Sequence, residues 1–185
     1  MGILLAFAPF LAFAVVDRLM GSADGLMAGA AVSAMLLIRD WLRPNAAPKM
    51  LEVGTFVLFA GLALYAVLGS PAWSIMDVRL RVDGGLLLIV LTTMAAGKPF
   101  TLQYAREQVD RALWTTPAFV RTNYVITGVW ALAFVVMVLA DLVLIYLPDL
   151  PPRFGIIATV LAIVGAVKFT GWYPERRASA GQTRA

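Results

Sequence analysis

The sequence predicts an all-α protein: a polytopic transmembrane helix bundle of about six spans, N-in/C-in, with one interfacial amphipathic helix between spans 4 and 5. Three observations lead there. Hydrophobic residues make up 61% of the 185 residues and charged residues 14%, so a water-soluble fold would lack the polar surface to cover its core. The apolar residues gather in long runs that cover most of the chain. Short connections bearing cations separate those runs, as loops at a membrane surface do.

The expected spans are 3–20, 25–41, 50–69, 82–97, 124–147 and 154–173, together forming one transmembrane domain over 1–173. The first resembles a signal peptide only superficially. It has no basic leading region, and it runs into Asp17 and Arg18 without a small-residue cleavage pattern, so it reads as a retained span. At a rise of about 1.5 Å per residue, about 20 residues cross the hydrocarbon, and the third, fifth and sixth spans meet that length. The first, second and fourth are shorter. They cross only if Asp17, Arg18, Arg39 and Asp83 lie among the headgroups; otherwise they are buried or re-entrant segments.

Alternation from a cytoplasmic N-terminus places Arg39, Arg43, Lys49, Lys98, Arg106, Arg111, Arg121, Arg176, Arg177 and Arg184 inside. Only Arg18, Arg79, Arg81 and Arg153 fall outside, with Lys168 left within a span. That asymmetry supports both termini inside. Trp41, Trp114, Trp172 and Tyr173 fall at the inner interface, where aromatic belts sit. Pro44 and Pro48 break the second connection, and Pro148, Pro151 and Pro152 force a tight outer turn. Residues 174–185 are small and polar and read as a disordered cytoplasmic tail.

The segment 98–123 is the longest connection. Lys98 and Pro99 open a helix that Thr101 is placed to cap, and Leu102, Val109 and Leu113 give it an apolar face. Arg106 with Asp110 and Glu107 with Arg111 have i,i+4 spacing, which stabilises an exposed helix by about 0.2–0.5 kcal/mol per pair. Such a helix either docks a partner at the membrane surface or simply joins two spans, the second being the plainer reading.

Chemistry is constrained by what the chain lacks. Without cysteine or histidine there are no thiolate nucleophiles, imidazole ligands or histidine bases, and no catalytic, cofactor or metal site is expected. The net charge of +4 resides in membrane-flanking connections, so anionic headgroups account for it better than nucleic acid. Asp141 is the sharpest polar feature. A carboxylate in an apolar run must be paired, hydrated or protonated, and serves either as a proton or cation site or as a tie to a neighbouring helix. Lys168 has the length to snorkel, and Glu52 complements the dipole at the start of the third span. Gly25 and Gly29, with Ala30 and Ala34, and Gly54 with Gly61 supply surfaces for close helix packing, within the chain rather than between copies.

Several short motifs resemble the intracellular septation protein A family of small polytopic bacterial inner-membrane proteins. They are Phe7-Ala8-Pro9-Phe10, Trp41 with Lys49-Met50, Thr55-Phe56-Val57-Leu58, Gly61-Leu62, Lys98-Pro99, and Asn123 followed by Trp130-Ala131. The resemblance implies a non-enzymatic role in septation and cell-envelope organisation, exercised through other membrane proteins. Two features depart from it: the 100–107 stretch and the ionisable Asp141. The candidate functional residues are Asp141, Lys98, Pro99, Arg106, Glu107, Asn123 and Trp130. Three functions follow from these readings. A scaffold or accessory subunit, able to form homo-oligomers, comes first. A small transporter or channel using Asp141 comes second, and a lipid-modifying enzyme at Arg106, Glu107 and Asp110 is the remotest.

Overall fold

A computed structural model describes residues 2–43, 48–69 and 71–182. Every regular element among them is helical. The chain divides into two compact units, Met1–Thr93 and Met94–Ala185.

The first unit opens with α1 (Gly2–Leu5) and α2 (Ala8–Met20), followed by α3 (Ser22–Trp41), α4 (Met50–Gly69) and most of α5 (Ile75–Ala95). The expected first span is thus interrupted before Pro9, which lies in the first turn of α2, where its missing N–H costs nothing. Gly21 alone joins α2 to α3, at φ 110°, a left-handed conformation that L side chains rarely adopt. Its N–H closes α2 on the Asp17 carbonyl. Across this turn Asp17 accepts a hydrogen bond from the Ser22 hydroxyl at 2.6 Å.

Small residues then let the helices meet. A Cβ on Gly25 would stand 2.9–3.0 Å from Asp17, and one on Gly29 would stand 2.6–2.9 Å from the Phe59 ring. Phe59 is buried between Phe10 and Phe13, with ring centroids at 5.1 and 5.7 Å, and Leu26, Ala63, Val78 and Val82 complete the core. Gly54 approaches Ile89 in the same way, whereas Gly61 faces open space. The helix that holds the fourth expected span begins before it, at Ile75. Ser74 and Asp77 exchange hydrogen bonds around its first turn, and Asp83 lies buried inside the helix rather than at its end.

The second unit holds α6 (Phe100–Arg106), a single 3₁₀ turn (Arg111–Leu113), α7 (Pro117–Tyr146) and α8 (Arg153–Gln182). Segment 98–123 is therefore a short helix, a turn and the first residues of α7, not one continuous amphipathic helix to Trp114. Glu107 ends α6, and Asp110 leaves helical geometry to cap the 3₁₀ turn. Thr101 does not cap α6 either: Pro99 holds that position and the Thr101 side chain points into the core. Pro117 starts α7 in the first turn, where proline is pre-organised. The prolines after Leu147 produce the expected tight turn, and α8 packs back on α7. The tail expected to be disordered from Pro174 is helical as far as Gln182. Ring contacts of Arg176 with Trp172 and of Arg177 with Tyr173 bridge the proline-bearing turn. Pro44 and residues 183–185 fall outside the described residues.

Among the described residues four helices are long and apolar enough to cross a membrane: Ser22–Trp41, Met50–Gly69, Pro117–Tyr146 and Arg153–Arg177. The bent pair Ile75–Ala95 and Phe100–Arg106 makes a fifth if counted as one span. The chain is accordingly a helical protein suited to a membrane.

Candidate functional site

The densest polar chemistry in the first unit lies where α3 ends and α4 begins. Asp40 occupies the last turn of α3, where the helix dipole disfavours an acid, and Lys49 directly precedes α4, where it disfavours a base. Each supplies what the other helix end needs. Lys49 Nζ donates to Asp40 Oδ2 at 2.5 Å, with the two side chains only 6% and 0% exposed. The second carboxylate oxygen, Oδ1, is held by Arg39 through Nε at 2.8 Å and Nη2 at 2.6 Å.

Glu52 completes the group. Its Oε1 stands 3.7 Å from Lys49 Nζ and 3.8 Å from Arg39 Nη2. Arg43, largely exposed, reaches within 3.9 Å of Asp40 from outside. Two bases and two acids thus neutralise one another in a buried clamp that ties α3 to α4. Sequence reasoning gave Lys49 to the inner loop and Glu52 to a helix dipole, and it passed over Asp40. The available signal was the oppositely charged pair at facing helix ends across one short connection.

In the second unit the polar residues form a seam rather than a pocket. Thr101 Oγ1 donates to the Asn123 carbonyl at 3.0 Å and lies 2.8 Å from Thr127 Oγ1, which seats α6 against α7. The Asn123 amide donates back to the Phe119 carbonyl at 2.9 Å, so this buried side chain serves its own helix. Trp130 links the helices one turn further on. Its indole N–H donates to Thr170 Oγ1 of α8 at 2.9 Å, and its ring meets Phe100 of α6 and Phe134 of α7 at centroid distances of 6.4 and 5.8 Å. Of the candidate residues, Pro99, Asn123 and Trp130 therefore belong to the packing of this unit.

The other candidates are dispersed. Lys98 and Glu107 are exposed on either side of α6, and Arg106 lies over the Trp114 ring. Asp141 is 1% exposed within α7, eighteen residues beyond Asn123, which is about 27 Å along a helix. The structure thus does not gather the seven into one site. The three proposed for lipid chemistry, Arg106, Glu107 and Asp110, are not assembled for acid–base work either: Asp110 accepts from the Ala112 amide and Arg106 is turned onto an indole. Among the described residues no group of three or more acidic side chains is placed to hold a metal ion. Comparison with protein-family models, curated proteins and solved structures finds no match.

Proposed function

We propose that this protein is a non-enzymatic integral membrane scaffold or accessory subunit of the bacterial inner membrane, working through contacts with other membrane proteins. The observation that carries this reading is the use made of buried charge. Asp40, Lys49 and Arg39 satisfy one another and fix two helices, as a rigid framework requires and a substrate path does not. The motif resemblance to the septation family is consistent with a place in cell-envelope organisation.

The topology we infer has six crossings and both termini inside. The turn at Gly21 supports a crossing by α1 and α2, because it sends the chain back along α3 and keeps Asp17, Arg18 and Ser22 at one end. The connections after α3 and α6 then share the cytoplasmic side with the cations of the C-terminal end.

Transport through Asp141 is the second reading, favoured by the burial of that carboxylate within α7. Affinity purification in mild detergent, with Asp141→Asn in parallel, separates the two. Reproducible membrane-protein partners retained by the variant support the scaffold. A partner-free protein whose flux in liposomes is abolished by Asp141→Asn would replace it with transport.

A further inference from the structure

The turn after α6 brings together three side chains that neither the clamp nor the seam uses. Arg106 and Arg111 both set their guanidinium groups on the ring of Trp114, 5.4 and 5.7 Å from its centroid. The indole is itself held, its N–H donating to the Val109 carbonyl at 3.3 Å. Arg106 Nε is enclosed and donates to no protein acceptor. Two acids lie between the arginines in sequence: Glu107 is exposed, and Asp110 is committed to the Ala112 amide at 3.1 Å.

The position of this group in the chain indicates what meets it. Trp114 lies three residues before α7, whose 30 residues extend about 45 Å, some 15 Å more than a hydrocarbon core of about 30 Å. The start of α7 and the turn before it therefore fall at headgroup level, the depth that indole rings prefer. Lys98, just before α6, and Arg121, near the start of α7, stand exposed and add to the positive field. A guanidinium presents planar, forked N–H donors that match phosphate oxygens, and an indole ring beside it restricts the directions the fork can take. Two guanidinium groups within 5.4 and 5.7 Å of one ring centroid concentrate forked donors at headgroup depth, which favours a phosphodiester as ligand.

We propose that Arg106, Arg111 and Trp114 form a binding site for the phosphodiester of an anionic membrane lipid. The site rests on α7 crossing the bilayer and is independent of whether the protein acts as a scaffold or a transporter. Native mass spectrometry of the purified full chain in detergent tests it, with phosphatidylglycerol or phosphatidylcholine of identical acyl chains titrated in, and free glycerol phosphate as competitor. The wild type is expected to retain phosphatidylglycerol over phosphatidylcholine. R106Q/R111Q should weaken that binding about thirtyfold, at about fivefold per guanidinium at a membrane surface. R106K/R111K, which keeps the charges and loses the forks, should fall between, and K98Q/R121Q, which lowers the surrounding field and leaves the forks, should lose clearly less than R106Q/R111Q. Equal binding of the two lipids, retention of selectivity in R106Q/R111Q, or an equal loss in K98Q/R121Q would overturn the site. Displacement of the lipid by free glycerol phosphate would reassign it to a soluble phosphate ligand.

Discussion

Replacing Lys49 by methionine removes the central cation of the clamp while keeping most of its side-chain volume. At 2.5 Å and an effective dielectric of about 20, the Coulomb attraction between Lys49 and Asp40 is about 7 kcal/mol before desolvation is subtracted. Breaking a buried pair by deleting one partner costs about 3–5 kcal/mol, because the remaining charge stays buried. Here Arg39 still holds Asp40 Oδ1, so the cost should lie near the lower end, about 3 kcal/mol. For a protein of this length that corresponds to a fall in Tm of about 6–12 °C, read by thermal unfolding of the purified protein in detergent. Asp40→Asn should cost less, about 1.5–3 kcal/mol, since Lys49 keeps Glu52 at 3.7 Å. The double variant Asp40→Asn/Lys49→Met should be more stable than the sum of the single effects, by up to about 3 kcal/mol. A Lys49→Met protein that melts with the wild type, or a strictly additive double variant, would show that the pair is hydrated and holds nothing.

Gly29→Ala forces a methyl group against the Phe59 ring and should cost about 1–3 kcal/mol, whereas Gly61→Ala meets open space and should gain about 0.5–1 kcal/mol; melting temperatures of the two variants check both signs. Thr101→Val removes the hydroxyl that bonds the Asn123 carbonyl and meets Thr127 Oγ1, while that carbonyl keeps its place in the α7 ladder, so the cost should be about 0.5–1.5 kcal/mol, visible as faster amide exchange in α6 with α3 and α4 unchanged. Reporter fusions at the N-terminus, the C-terminus and the turn between α6 and α7 should all report the cytoplasmic side. A reporter at the N-terminus that reads outside would show that α2 folds back against α3 without crossing.

The membrane class and the helical fold were legible in the sequence because hydrocarbon makes the same demand of every crossing segment: a long apolar run with its backbone hydrogen bonds made internally. The prolines and glycines at the ends of the expected spans marked turns for equally local reasons, and the small residues Gly25 and Gly29 marked close packing. Other features depended on contacts between segments far apart in sequence. Nothing in the order of residues showed that Thr101 would turn from capping α6 to the Asn123 carbonyl, twenty-two residues on, or that Trp130 would reach Thr170. Composition read the tail from Pro174 as disordered because it is small and polar, but helix propagation from α8 carries it to Gln182. Hydropathy did not show that the helix extends back to Ile75, because it scores Arg79, Arg81 and Asp83 by charge alone, whereas Arg81 bonds the Asp77 carbonyl and lies over the Trp73 ring. The clamp is the clearest instance. Sequence supplied its four charges as separate loop and helix-end residues, and only the packing of α3 on α4 brought Asp40, Lys49, Arg39 and Glu52 within 4 Å, where burial makes their mutual neutralisation obligatory.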